Sequence, residues 1–149
     1  MKKNKYKNVA ISKDGSKYDS KAESKRHNEL KILEKGGCIK DLKTQVKYVL
    51  QPSFKIQEET IREITYTADF TYYDVALKKE IVEDVKNPYN AKQDKAFSIK
   101  KKLLLHKWYQ ERTLNTIFRV VEVGKTTNVN DYEVVETVIE GRKIYVKAV

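Results

Sequence analysis

The sequence predicts an α+β domain in which helices flank a mixed central sheet. Two stretches have apolar residues at helical spacing, and the shorter stretches between and after them are rich in β-branched and aromatic residues. Their order is a helix, several antiparallel strands, a second helix and a further strand. With 149 residues, of which 40% are apolar, the chain is expected to form one domain with a modest core.

The first predicted helix spans residues 20–35 and has both a start and a stop signal. Ser20 and Glu23 match the capping box S-x-x-E, and the glycine pair after residue 35 is typical of a helix end. The local pattern favours a capping role for Glu23, and the alternative is an acid that projects toward a metal site. The residues expected to face the core are Ala22, Leu30 and Leu33, and those expected to face outward are Arg26 and Lys31.

A connector and short strands are predicted after this helix. The connector begins with residues 39–42, and residues 45–50 alternate loosely as a strand that Pro52 ends. Residues 54–56 begin another strand. The charged residues 57–62 are expected to form a turn.

The stretch 64–86 predicts a hairpin. Its strands are residues 64–70 and 80–86, which are rich in β-branched and aromatic side chains. The turn is expected near Ala76 and Leu77. With the turn so placed, the numbers of opposed residues add up to about 153.

This register places Asp69 opposite Asp84, with Lys86 two residues further along the second strand. Directly opposed side chains point the same way, with Cβ atoms roughly 5 Å apart, and like charges so placed are destabilising. A divalent metal would remove this conflict, because Mg²⁺ takes hard oxygen ligands and needs only one or two carboxylates beside waters and a substrate phosphate. The alternative is an ordinary hairpin whose acids face water, and an isolated D-x-K triplet does not decide between the two.

The second predicted helix spans residues 91–112 and has an apolar face and a lysine face. The lysine face is either a solvated surface or a phosphate-binding one. Residues 115–123 predict a strand buried on both faces, and residues 132–149 predict a terminal hairpin. The apolar positions of the helix are Ala96, Phe97, Ile99, Leu103, Leu104 and Trp108, and its lysines are Lys95, Lys100, Lys101, Lys102 and Lys107.

The charge balance favours a polyanionic partner. The formal net charge is +10, from 31 basic and 21 acidic residues, which supports nucleic acid first and an anionic membrane second. Residues 1–18 are expected to form a basic arm that includes Lys17. No apolar run approaches the roughly 20 residues of a membrane span, and the N-terminus lacks the apolar region of a secretory signal. The single cysteine fits a reducing compartment.

Taken together, these stretches resemble the PD-(D/E)XK phosphodiesterase superfamily, and more narrowly a phage-associated branch described as Holliday-junction-resolvase-like or uncharacterised. The resemblance covers residues 5–123, and it depends on the order and spacing of motifs that are each weak alone. The matching stretches are DGSKYDSKAESKRHNEL (14–30), Gln45 within TQVKYVLQP, ITYTADFTY (64–72), VEDVK (82–86) and FSIKKKLL (97–104).

The resemblance implies a restriction-endonuclease-like core with the order α-β-β-β-α-β. It implies that Asp69 and Asp84 are metal ligands and that Lys86 is the lysine of the signature. It further implies that Glu23 completes the metal site, which shifts its interpretation from cap toward ligand, and that Gln45 supports these residues.

The expected function is a DNA endonuclease that uses Mg²⁺ or Mn²⁺ and acts on branched DNA or recombination intermediates. The expected layout is a basic arm (1–18), a core (19–123) and an accessory hairpin (124–149) that is a candidate homodimer contact. Asn87 stands where the branch often has glycine, which affects the expected shape of the loop after the signature lysine. The lysines expected to contact DNA are Lys17, Lys21, Lys100 and Lys101.

The expected location is the cytoplasm of a phage-infected bacterial cell. Two other functions stay open at this point. One is a DNA-binding module that keeps the fold but does not cut, and the other is a basic protein that docks to a nucleoprotein complex.

Overall fold

In the computed structural model, which describes residues 18–87, 94–139 and 143–148, two helices flank a six-stranded mixed sheet. The predicted α+β class with a mixed central sheet is confirmed. The helices are α1 (Tyr18–Lys35) and α2 (Lys95–Glu111). The strands are β1 (Ile39–Gln51), β2 (Phe54–Ile56), β3 (Glu59–Ile61), β4 (Ile64–Asp74), β5 (Lys79–Lys86), β6 (Thr116–Val123), β7 (Thr127–Ile139) and β8 (Lys143–Ala148).

The main sheet has the strand order β1-β4-β5-β6-β7-β8, and β2 and β3 pair as a separate hairpin. Its neighbouring strands are antiparallel except for β5 and β6, which are parallel. Parallel neighbours need a crossover connection, and α2 supplies it. Apart from the β2–β3 hairpin and the last two strands, the element order is therefore α-β-β-β-α-β.

The two helices lie on opposite faces of the sheet, because side chains alternate along its central strands. Ile81 of β5 and Ile117 of β6 pack in one cluster with Leu30 of α1. Val82 and Phe118, each one residue further along, pack in a second cluster that includes residues of α2. The central strands are thus buried on both faces, as predicted for residues 115–123.

The start of α1 differs from the prediction, and its end agrees with it. The helix begins two residues earlier than expected, so Ser20 lies in its first turn and the predicted Ser20–Glu23 capping box is wrong. The S-x-x-E pattern therefore lies inside the helix and does not mark its start. At the other end, the Cys38 N–H donates to the Leu33 carbonyl at 2.9 Å, and Gly37 has φ = 79°, which glycine adopts without steric cost.

One face of α1 packs on the sheet at four-residue spacing. Ala22 and Leu30 are buried as predicted. Arg26 lies between them on the same face and pairs with the buried Glu83, so the prediction that it points outward is wrong. Leu33 is 36% exposed and was wrongly assigned to the core, although its spacing puts it on the same face; it lies in the last turn of the helix.

The strands before the central hairpin are more extensive than predicted. β1 includes both the expected connector, residues 39–42, and the expected strand, residues 45–50. β2 is confirmed, but β3 takes three of the residues 57–62 that were predicted to form a turn. Lys55 pairs with Thr60 in this short exposed hairpin, where charged side chains stay in water and do not oppose strand formation.

The β4–β5 hairpin has the predicted register. Phe70 pairs with Glu83, and the numbers of all the paired residues add up to 153. The turn occupies residues 75–78, around the expected position. Asp69 and Asp84 are the next residues beyond the Phe70–Glu83 pair, so they lie where the ladder of the hairpin ends.

β4 is irregular close to that position. Tyr66 packs on the α2 side, with its ring centre 6.3 Å from that of Phe97. Phe70 packs on the α1 side, with its ring centre 5.3 Å from that of His27. Residues four apart in a regular strand share a face, so β4 changes face between these two residues. Asp69 lies within the irregular stretch, where side chains of both helices come close to the strand.

α2 has a narrower apolar face than predicted. Leu104 and Trp108 are buried, and Phe97 packs against the same cluster. Ile99 and Leu103 are exposed, because the helix contacts the sheet along one stripe and these residues flank it. In the part of the chain that the structure describes, no helix has the length and apolar character needed to span a membrane.

The terminal hairpin extends the main sheet. β7 begins at Thr127 instead of residue 132, because it pairs with β6 from Val123 onward, and β8 pairs with β7. Two predicted boundaries lie outside the described residues. They are the start of the second helix at residue 91 and the turn of the terminal hairpin at residues 140–142.

Candidate active site

A cleft of about 390 Å³ opens between the first turns of α1, the irregular part of β4, the end of β5 and the first turns of α2. All four residues that the sequence suggested for the site line it, although they come from three different elements. They are Glu23, Asp69, Asp84 and Lys86. Other residues in its lining include Tyr66, Asp94, Phe97 and Lys100.

Asp84 is the most buried acid of the cleft, with 4% of its surface exposed. Its Oδ1 accepts a hydrogen bond of 2.6 Å from the Tyr66 hydroxyl. Its Oδ2 is buried and accepts no hydrogen bond from the described residues, although Lys86 Nζ lies 3.3 Å away. Burial raises the pKa of Asp84 above its ordinary value, and Lys86 and the Tyr66 hydroxyl oppose that rise. A buried carboxylate oxygen without a hydrogen bond is costly unless a cation satisfies it.

Asp69 is held by the neighbouring strand. Its Oδ2 accepts a hydrogen bond of 2.8 Å from the Val85 N–H. Burial raises the pKa of Asp69 to about 7, and the negative charges of Asp84 and Glu23 contribute to the rise. The Val85 N–H and Lys86 act in the opposite direction. The two aspartates therefore repel each other in the way that the predicted hairpin register implied.

Glu23 reaches the cleft from α1 with the help of Gln45. The Gln45 amide Nε2 donates to Glu23 Oε1 at 2.9 Å. Gln45 lies on β1 opposite the irregular part of β4 and has φ = 53°, the left-handed region that non-glycine residues seldom adopt. Such strain often accompanies functional sites, because the surrounding structure must hold the residue there. The contact is the one expected of a residue that supports the site acids.

Lys86 lies between two carboxylates. Its Nζ is 3.3 Å from Asp84 Oδ2 and 3.2 Å from Asp94 Oδ2, and it lies 4.0 Å from the centre of the Phe97 ring. Burial by itself lowers the pKa of Lys86, but the two carboxylates outweigh it and leave the pKa above its ordinary value. The lysine is therefore a cation at neutral pH.

Asp94 was not among the predicted site residues, because it fell inside the predicted helix. Asp94 is the N-cap of α2, and its Oδ1 accepts the Phe97 N–H at 2.9 Å. Burial raises its pKa, but the Phe97 N–H and Lys86 outweigh this effect, so the pKa lies below its ordinary value. The signal available in the sequence was an aspartate three residues before an aromatic residue of the apolar stripe, as expected of an N-cap.

The predicted DNA-binding lysines are distributed unequally. Lys100 lines the cleft. Lys101 instead turns toward β7, where its Nζ lies 4.5 Å from the centre of the Tyr132 ring and 3.3 Å from the Tyr132 hydroxyl. Lys21 is exposed on α1, and Lys17 lies outside the described residues.

A buried ion pair lies on the face of β5 that is opposite the cleft. Arg26 Nε and Nη2 each donate to the Glu83 carboxylate at 2.8 Å, and the Tyr72 hydroxyl donates to the same group at 2.7 Å. Glu83 precedes Asp84, and Arg26 lies one helical turn after Glu23. The pair therefore fixes the α1 acid relative to the β5 acid. This ion pair was not predicted, because Arg26 was expected to face solvent.

The donor set of the cleft fits a hard divalent cation. Among the described residues, no group of three or more His, Cys, Asp or Glu side chains has the arrangement of a metal site. Mg²⁺ needs fewer protein ligands than that, because it keeps several waters and also binds substrate phosphate. Two repelling aspartates, one with a buried oxygen that accepts no hydrogen bond, provide the charge and the oxygen atoms that such an ion requires.

Comparison with known families assigns most of the chain. A family model described as "Protein of unknown function (DUF1064)" matches residues 3–125. The chain belongs to the DUF1064 family. No curated protein and no solved structure matches it. The part matched to DUF1064 contains every residue that lines the cleft and ends two residues after β6, so the β7–β8 hairpin lies beyond it.

Proposed function

We propose that this DUF1064 protein is a DNA endonuclease that hydrolyses phosphodiester bonds with Mg²⁺ or Mn²⁺. The single observation that supports this most strongly is the pairing of Asp69 and Asp84 in one cleft with Lys86 beside them. The resemblance to PD-(D/E)XK phosphodiesterases, drawn from the same residues in the sequence, supports the proposal independently of their geometry.

Each residue of the cleft has a distinct task in this proposal. Asp69 and Asp84 would hold the cation, and Glu23 would join them directly or through a water. When bound, the cation supplies charge stabilisation at the scissile phosphate and lowers the pKa of a water. Lys86 would act through its charge, by orienting the attacking water or by neutralising charge that develops on the phosphate. In the metal-free protein its two carboxylate neighbours hold the pKa of Lys86 above its ordinary value, which favours the charged form of the side chain.

DNA would reach the cleft along its basic rim. Lys100 would contact the phosphate backbone, and the net charge of +10 would attract DNA at long range. The finer part of the proposal is that the substrate is branched DNA, cut by a homodimer in a phage-infected bacterial cell. Paired cuts in a four-way junction follow most simply from two sites related by a two-fold axis. Light scattering with and without a junction tests the dimer separately from the nuclease.

A second candidate function is a DNA-binding module that does not cut. The net charge of +10 and the position of Lys100 in the cleft lining fit DNA binding whether or not the protein cuts. The two candidates differ in one respect: the module would bind DNA equally well with and without divalent metal and would leave it intact.

The decisive experiment incubates the protein with labelled four-way, flap and linear DNAs in Mg²⁺, Mn²⁺, Ca²⁺ or EDTA. Cleavage is expected in Mg²⁺ or Mn²⁺ and not in EDTA, and Asp84→Asn should abolish it. Glu80→Gln is the matched control, because Glu80 is an exposed acid of the same strand that does not line the cleft. Binding without cleavage under every condition would replace the nuclease with the module.

A further inference from the structure

We propose that Asp94, at the start of α2, is a positioning residue that holds Lys86 in place within the cleft. This inference rests on the proposed nuclease function for its catalytic meaning. It is based on the two oxygens of the Asp94 carboxylate, one of which contacts the backbone of α2 and the other Lys86.

One oxygen of Asp94 caps the helix. Oδ1 accepts the Phe97 N–H at 2.9 Å, which satisfies one of the N–H groups that a helix start leaves without a partner. The second oxygen belongs to the cleft, since Oδ2 lies 3.2 Å from Lys86 Nζ. A side chain fixed at its helix by one oxygen presents the other in a defined place.

The position of Asp94 determines where the charge of Lys86 lies. A lysine side chain is flexible, and with Asp84 as its only acidic neighbour Nζ would move toward the oxygens of that residue. The structure instead places Nζ at almost equal distances from Asp84 Oδ2 and Asp94 Oδ2, 3.3 and 3.2 Å. Asp94 thus shares the ammonium group with Asp84, whose Oδ2 accepts no hydrogen bond from the described residues.

Phe97 completes this arrangement. Its ring centre lies 4.0 Å from Lys86 Nζ, a distance at which the ring face attracts a cation. The same ring lies 6.3 Å from that of Tyr66, whose hydroxyl holds the other oxygen of Asp84. The start of α2 therefore contacts Lys86 directly and Asp84 through Tyr66, and we infer that it is part of the site.

The test depends on a variant that separates the two tasks. Asp94→Asn keeps the cap, because asparagine is as good an N-cap as aspartate, but it removes the charge that faces Lys86. Single-turnover cleavage should fall about tenfold or more, the scale expected when a supporting partner of a catalytic group is lost. Affinity for DNA in Ca²⁺ should not weaken, since the variant has one negative charge fewer. Glu111→Gln, an exposed acid at the other end of α2, should change neither quantity.

A second measurement needs neither DNA nor metal. In thermal unfolding with EDTA, Asp94→Asn should lower Tm by about 1–3 °C in the wild-type background, as a partly exposed ion pair would. In the Lys86→Met background the same change should lower Tm less, because the ion pair is already absent and only the interaction of the carboxylate with the helix N-terminus is lost. A non-additive result supports the positioning contact.

The outcomes distinguish this inference from the proposed function. If the wild type and Asp94→Asn cut DNA at the same rate, the positioning role of Asp94 is overturned, while the nuclease proposal is supported. Additive Tm changes would also overturn it. If the wild type cuts nothing, the nuclease proposal fails, while a non-additive Tm cycle would still support Asp94 as the residue that positions Lys86.

Discussion

Tyr66 donates a hydrogen bond of 2.6 Å to Asp84 from a ring that packs between Phe97 and Phe118. The ring lies in the apolar cluster under α2, so the hydroxyl cannot move away from the carboxylate without disturbing that cluster. One oxygen of Asp84 is thereby fixed by the core, and the other is left beside Lys86. The orientation of the site acid is determined by packing on the α2 side of the sheet.

Tyr66→Phe is expected to weaken metal binding about tenfold, which is the usual scale when the partner that orients a metal ligand is lost. It should also lower the free energy of unfolding by about 1–3 kcal/mol, because a buried carboxylate loses a hydrogen bond. Mn²⁺ titration and urea unfolding measure the two effects. Tyr48→Phe is the control, because Tyr48 packs against the same cluster and its ring lies near that of Tyr66. Equal metal affinities in both variants would contradict the orienting role.

Glu23→Gln is expected to reduce cleavage by orders of magnitude with little change in Tm. Ser20 is not the N-cap, so the stability of α1 does not depend on a capping box. The glutamine can still bond to Gln45, but it removes one of the charges that face Asp69. Activity assays with parallel thermal melts measure both quantities, and Glu29→Gln, an exposed acid of the same helix, is the control. Full activity in Glu23→Gln would leave the residue with a structural role only.

The stability of the metal-free protein should depend on the protonation of Asp69. Its pKa is about 7 in the folded state and near 3.8 when unperturbed, so the folded state binds the proton more tightly than the unfolded state. The associated stabilisation is full below about pH 4 and is lost as the pH rises through about 7. The Tm of the wild type relative to that of Asp69→Asn, measured in EDTA, should therefore fall between pH 4 and pH 7. A difference that stays constant across this window would show that Asp69 is not perturbed.

Arg26→Met should destabilise the protein by about 3 kcal/mol, because it leaves the Glu83 carboxylate buried without its cation. Chemical denaturation measures this change. Glu29→Gln removes the exposed partner of the same arginine and should cost less than about 0.5 kcal/mol. Similar costs for the two variants would mean that the buried contact with Glu83 contributes little.

The sequence predicted the register of the central hairpin because a short turn between two clear strand patterns leaves little freedom in pairing. That register was enough to bring Asp69 and Asp84 together. The ends of helices were less predictable, as Ser20 shows. A capping pattern shows that a helix could start at that residue, but it does not show whether the residues before it are also helical.

Contacts between distant elements could not be predicted from local patterns. Arg26 lies at helical spacing from the buried Ala22 and Leu30, but its charge is typical of a surface residue. Its burial depends on the ion pair with Glu83, which is 57 residues away in the sequence. Asp94 fell within a predicted helix, and its pairing with Lys86 depends on how α2 meets the sheet. The change of face in β4 between Tyr66 and Phe70 likewise departs from the regular alternation on which a strand prediction depends.

Calorimetric titration of Mn²⁺ tests most directly the claim that Asp69 and Asp84 form a metal site. The wild type and Glu80→Gln are expected to bind Mn²⁺ with the same affinity, whereas Asp69→Asn and Asp84→Asn should each bind it at least tenfold more weakly, because each loses a charged ligand. Equal Mn²⁺ binding by the wild type and both aspartate variants would contradict the account, since the cation would then bind elsewhere.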